Sequence, residues 1–153
     1  MKNTRFILIE TVKFLGISIL LFSCSGANQP HKVEKIKSIS ISTFGGERGY
    51  FQSLVITPDT LYYELGSSVD TANNKSIKKI NSQYKFEDIV SENQITSFAK
   101  ITSGKSFLPV DGTDTEITVK TDGSDYKVRN AAHSRKWLSI QAKLQTILAK
   151  EFN

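Results

Sequence analysis

The chain reads as an α+β domain: a mainly antiparallel sheet of about six strands, a short helix, and a C-terminal amphipathic helix packed on one sheet face. Three observations predict it. Apolar residues alternate with period two in several short stretches between residues 38 and 129. Turn residues separate those stretches at hairpin distances, and residues 134–152 switch to the three-to-four residue spacing of a helix.

Ser38-Ile39-Ser40-Ile41-Ser42 alternates as a half-buried strand should. Gly45-Gly46-Glu47-Arg48-Gly49 breaks the chain, and Tyr50 to Thr57 is a second strand. Pro58-Asp59 is turn chemistry, and Leu61-Tyr62-Tyr63-Glu64-Leu65 completes an antiparallel meander. Gly66 to Ser76 reads as polar loop. Ile80, Ser82, Tyr84 and Phe86 alternate with Lys79, Asn81, Gln83 and Lys85, which predicts a fourth strand with one wet face.

Ser91 and Gln94 have capping-box spacing, with Val90 and Ile95 placed for a hydrophobic staple. A short helix should follow, with Ile95, Phe98 and Ala99 on one face. Thr102 to Thr113, containing Pro109, is a connecting loop. Glu116 to Lys120 and Tyr126 to Arg129 alternate on either side of Asp122-Gly123, a hairpin signal. In the final helix Trp137, Ile140, Ala142, Leu144, Ile147, Leu148 and Phe152 make an apolar stripe that should pack on the sheet.

Residues 1–23 belong to a different class. Lys2, Arg5 and Lys13 give a positive start, and Phe14 to Phe22 is mostly apolar. Nine helical residues rise about 14 Å, half of a ~30 Å hydrocarbon layer. Extending the segment back to Phe6 would bury Glu10 and Lys13 at a cost of about 2.5–3.5 kcal/mol each. A cleaved export signal fits better. Leu21-Phe22-Ser23-Cys24 resembles a lipobox, with Leu three residues before the cysteine and small Ser directly before it; Phe22 is bulkier than the pattern's usual residue. The resemblance implies a lipid thioether on Cys24, cleavage before it, and palmitate or a similar chain on the new amino terminus. Each buried CH₂ contributes about 0.8 kcal/mol, so two or three chains give a near-permanent anchor. Ser25, and not Asp, follows the cysteine, which favours the outer membrane. Residues 24–34 read as lipidated cysteine plus flexible tether, with Pro30 and a solvated His31, and residues 35–153 as a single domain. Ten tether residues reach at most about 35 Å.

The totals narrow the function classes. The 153 residues carry net charge +5, of which Lys2, Arg5 and Lys13 against Glu10 account for +2. Seventeen bases against fourteen acids in the remainder make a mixed surface, so nucleic acid is not an expected partner. With 39% hydrophobic and 10% aromatic residues, one modest core can form. The single cysteine excludes an internal disulfide.

Catalytic and metal signatures fail one by one. Gly45 to Gly49 leads into a strand, whereas a phosphate loop needs a helix after it. Asp111, Asp114 and Glu116 lack the spacing of a calcium loop and read as a solvated loop entering a strand. His133 is the one histidine of the domain, and no cysteine can join it in a zinc site. No G-x-S-x-G elbow accompanies it. Neither a catalytic residue nor a cofactor is therefore expected. Tyr62 and Tyr63 point to opposite sheet faces, so one either offers a binding surface or is covered by a second layer of the same domain. Arg129, His133 and Arg135, with Lys136, cluster in sequence; they read as a helix entrance that needs no partner, or as a surface for anionic groups or an acidic partner.

An Ile-rich strand, the Gly45-Gly46-x-x-Gly49 turn, a Tyr-containing hairpin, a helix and a late hairpin resemble emfourin-type inhibitors of thermolysin-like proteases over Lys37 to about Asn130. The export signal and long final helix depart from that pattern. The expectation is a lipid-anchored envelope protein with a non-catalytic binding or accessory domain, its partners a membrane through Cys24 and an envelope protein. The alternatives are a metalloprotease inhibitor, or a small hydrolase in which His133, Asp111 and Asp114 converge.

Overall fold

Ile39-Ser40-Ile41 sits at the middle of the longest strand, β1 (Ile36–Gly45), in the computed structural model, which describes residues 34–152. The expected export signal, Cys24, Ser25, His31 and the expected tether up to residue 33 lie outside the described residues. β1 is followed by β2 (Tyr50–Ile56), β3 (Thr60–Ser67) and β4 (Lys75–Ile80), then by helices α1 (Phe86–Ile89) and α2 (Ile95–Ala99). The hairpin β5 (Thr113–Thr121) and β6 (Asp125–Arg129) leads into α3 (Arg135–Phe152). The strands form one six-stranded antiparallel sheet of order β4-β3-β2-β1-β5-β6. The α+β class, the sheet and the C-terminal helix are as the sequence predicts.

This order follows from short connections. The meander lays β2, β3 and β4 successively on one side of β1, so the late hairpin can add only to the free side. β1 is thereby central. Its alternation sets the register: Ile39 pairs with Ile56 and Val119, and Ile41 with Leu54 and Ile117. A slip by one residue would turn all of these to the wrong face.

Helix α3 crosses the apolar face. Trp137 near its start donates its indole N–H to the Val128 carbonyl on β6 at 3.1 Å. Phe152 at its end stacks on Tyr63 of β3, with ring centroids 4.9 Å apart. Fifteen helical steps rise about 22 Å, and four strand spacings cover about 19 Å, so the helix is the length the crossing requires. Trp137, Ile140, Leu144 and Ile147 join the sheet residues in one buried cluster, and Ile89, Val90, Ile95 and Phe98 close its remaining side.

Four sequence expectations change. The fourth strand is Lys75–Ile80, so it starts inside the expected loop and stops where the expected strand began. Asn81 is the reason: its amide donates to the Thr57 and Tyr84 carbonyls, and its oxygen accepts from the Tyr84 N–H, which curls the chain off the sheet. Ala99 and Ala142 are exposed and take no part in the apolar faces assigned to them, because the narrower stripes of larger side chains already fill the contact. Glu34 is fastened to the domain, its carboxylate accepting from the hydroxyls of Thr121 at 2.5 Å and Tyr126 at 2.9 Å. The capping box forms as expected, with Gln94 reaching back to the Ser91 N–H at 3.4 Å.

Leu144 is fully buried and Lys143 beside it is exposed. Leu144→Ala should cost about 2–5 kcal/mol in urea unfolding through lost burial and a residual cavity. Lys143→Ala should change stability by less than about 0.5 kcal/mol. Similar small losses from both would show that α3 is not integral to the core.

Candidate functional site

The sheet has two unlike faces. α1, α2 and α3 pack on the face carrying Ile39, Ile41, Leu54, Leu61, Tyr63, Ile117 and Val119. No helix of the described residues packs on the other. Its register aligns Lys78, Tyr62, Val55, Ser40, Thr118 and Lys127 in one cross-strand row, and Ser76, Glu64, Ser53, Ser42, Glu116 and Arg129 in the next. A third row holds Gly66, Phe51, Phe44 and Asp114.

The candidate binding residues divide between these surfaces. Tyr62 stands on the open face, where its hydroxyl donates to Glu64 at 2.6 Å and accepts from Ser76 at 2.9 Å. Tyr63 is buried under α3, and the Gln52 amide donates to its hydroxyl at 3.1 Å. Arg129 shares the open face with Tyr62 but lies four strands away, about 19 Å across the sheet. His133 and Arg135 are exposed at the entrance to α3. The five therefore do not form one site. Tyr63 serves the core, since alternation places it beneath the helix.

The most organised polar cluster surrounds Asp114, which the sequence pattern places in a solvated loop entering a strand. It is fully buried. Its Oδ2 accepts from Ser106 at 2.6 Å and Arg129 at 3.3 Å; its Oδ1 accepts from the Phe107 N–H at 2.8 Å and Asn130 at 2.7 Å. Burial alone would raise the Asp114 pKa. The bonds from Ser106, Phe107 and Asn130, with the Arg129 charge, outweigh it and hold the carboxyl below its usual range. Arg129 also donates to Glu116 at 3.1 Å and lies over the Phe44 ring at 5.4 Å.

This cluster shapes the connection before β5. Asn130, with φ +48°, donates a second bond to the Lys105 carbonyl at 2.9 Å. Beyond Phe107 the chain makes a single 3-10 turn over Leu108–Val110, and Asp111 closes it in the left-handed region at φ +56°. The Gly112 carbonyl then accepts from the Gly46 N–H at 3.0 Å, which joins this loop to the β1–β2 turn. A Cβ at Gly45 would stand 2.5 Å from that carbonyl oxygen, so the approach needs glycine. The glycine segment is a turn, as its strand context predicts.

A second cluster fastens the end of α3. The Glu151 carboxylate accepts from the Tyr84 hydroxyl at 2.8 Å and Gln83 at 2.9 Å, and pairs with Lys79 at 3.5 Å. Burial, then the bond to Glu151 and its charge, push the Tyr84 phenol up to about 12. Beside it an open, largely apolar groove of about 340 Å³ runs between α1 and α3, lined by Tyr84, Lys85, Ile89, Lys143, Thr146 and Ile147.

His133 makes no hydrogen bond or ion pair with Asp111 or Asp114 among the described residues, and the four donors to Asp114 occupy its carboxylate. Nor do three His, Cys, Asp or Glu side chains gather in metal-ligating range there. The chain matches no protein-family model and no curated protein sequence.

Asp114→Asn removes the charge that Arg129 faces and turns an amide toward existing donors. A loss of about 1.5–3 kcal/mol is expected near neutral pH. Because the folded pKa is depressed, the wild-type contribution is complete above the ordinary carboxylate value of 3.8 and declines as pH falls through the folded value. Urea midpoints followed from neutral to acid pH should therefore fall more steeply in the wild type than in the variant. Parallel curves would show that Asp114 does not titrate with folding.

Proposed function

We propose that this chain is a lipid-anchored cell-envelope protein, held on the outer membrane through Cys24, whose domain acts by binding and not by catalysis. Leu21-Phe22-Ser23-Cys24 supports the anchor. The observation that carries the binding role is the use made of Asp114: the one fully buried carboxylate among the described residues is bonded at both oxygens, and its donors hold a surface loop in shape. A catalytic acid would be poised toward a cleft with its pKa matched to proton transfer. A preformed loop surface is what a recognition domain needs, since ordering a flexible loop on binding costs affinity.

Inhibition of a thermolysin-like protease is a second reading. It is favoured by Gly45, Gly46 and Gly49, which have positive φ and form the connected turn at one end of the sheet. Residues 34–153 added in excess to thermolysin should then slow its cleavage of a casein substrate; an unchanged rate removes this reading without touching the first.

The anchor has its own test. Labelled palmitate should enter the wild-type chain and not Cys24→Ser, which should accumulate as uncleaved precursor. Label in the variant would refute the assignment of Cys24.

A further inference from the structure

The helix-covered face of the sheet changes character from one cross-strand row to the next. Ile117, Ile41, Leu54 and Tyr63 form a buried row. The row after it, toward Gly45, is Thr115, Thr43, Gln52 and Leu65. The Thr43 and Thr115 hydroxyls share a hydrogen bond at 3.2 Å, and Gln52 donates to the Tyr63 hydroxyl at 3.1 Å. Between this row and α3 lies a cleft of about 230 Å³. Thr43 and Gln52 line it from the strands, Gln145, Leu148 and Ala149 from the helix, and Ile41 from the core.

None of these lining side chains is charged, and the charges of the surroundings are directed elsewhere. Lys75 closes the polar row, but at the sheet edge, two strands and about 10 Å from Gln52. Glu47 and Arg48 belong to the turn beyond Gly45. On α3, Lys143 lines the groove toward α1 and Lys150 lies over the Tyr84 ring, both on the other flank of the helix. The reverse face of the same strands carries Glu64, Lys78, Glu116, Lys127 and Arg129. Solvent contact alone would admit such charges beside α3 too; the cleft has amides and hydroxyls instead.

We propose that this cleft binds one ring of a neutral sugar. The chemistry of its lining selects that class. Threonine hydroxyls and glutamine amides each offer donor and acceptor together, and every sugar hydroxyl presents the same pair. Ile41, Leu148 and Ala149 supply apolar contact for the C–H groups of a ring. A charged ligand would lose hydration in the cleft and meet no opposite charge. At about 30 Å³ per water the cleft has room for about seven waters, which is the bulk of a single six-membered ring. The site lies on the opposite face of the sheet from Asp114 and does not depend on lipid at Cys24, so it goes beyond the reading above.

A ligand of this size binds with a dissociation constant on the order of millimolar, which nuclear magnetic resonance can follow. The test uses the full lipidated chain in dodecylphosphocholine micelles, titrated with methyl glucoside, methyl galactoside and N-acetylglucosamine in turn. At least one of the three should shift the side-chain amide signals of Gln52 and Gln145 saturably. Glucuronate, the same ring with a carboxylate, should bind at least about tenfold more weakly than glucoside, as a lost countercharge requires. Ala149→Arg places a long side chain at an exposed lining position and should weaken the best sugar about tenfold or more. Lys143→Ala on the other flank should leave its affinity unchanged. If Ala149→Arg lowers the urea midpoint, Gln145→Ala takes its place, since Gln145 is exposed and its loss spares the core. No saturable shift from any of the three sugars would overturn the proposal. So would equal binding of glucuronate, or an affinity that neither Ala149→Arg nor Gln145→Ala reduces.

Discussion

Contact between the apolar sheet face and the stripe of α3 determines where everything else can stand. The sheet carries Ile39, Ile41, Leu54, Ile56, Ile117 and Val119 on one side, and Trp137, Ile140 and Leu144 are laid across them. With one long helix available, only one face can be covered to this depth. On the other face Ser40, Ser42, Ser53 and Thr118 hold the central positions beside Val55 and Glu116, and that face therefore tolerates water. The division of the sheet into a dry and a wet side is thus present in β1, where isoleucine and serine alternate.

The Asp114 cluster depends on that division. β5 alternates like its neighbours, so Asp114 shares a face with Glu116 and Thr118 and should be wet. The connection from α2 folds over this corner and excludes water, and a carboxylate so enclosed needs donors at both oxygens. Ser106, the Phe107 amide, Asn130 and Arg129 supply them. Each donor belongs to the connection or to the end of β6, so satisfying one charge also settles the path of a dozen residues that lack a regular backbone ladder.

Much of the fold was legible because it rests on periodicity, which is local. β1, the β5–β6 hairpin and α3 follow from runs of alternating or helically spaced side chains, and the structure extends them by a few residues at most. β4 was misplaced for a local reason of another kind. Lys75 to Ile80 is an exposed edge strand whose lysines weaken the alternation, while the apparent pattern after Ile80 is interrupted by the Asn81 turn. The Asp114 cluster was hidden differently. Asp114 meets Asn130 across 16 residues and Ser106 across 8, and neither spacing belongs to a recurring motif. Arg129 was grouped with His133 and Arg135 by nearness in sequence, yet strand geometry turns it toward Asp114 and Glu116. Tyr62 and Tyr63 were rightly placed on opposite faces; only the position of α3 decides which of them is covered.

The strand that organises the sheet has a mechanical consequence. β1 is hydrogen-bonded on both sides, to β2 and to β5, over most of its length. Its first residues are clasped at Lys35, whose amide donates to Asp122 at 3.1 Å and whose carbonyl accepts from the Asp122 amide at 3.0 Å. Tension applied through the preceding chain would therefore run parallel to the strand and load two ladders in shear, many bonds at once, instead of peeling them singly. A domain pulled from Ile36 while β2 and β5 are held would resist along the length of both ladders.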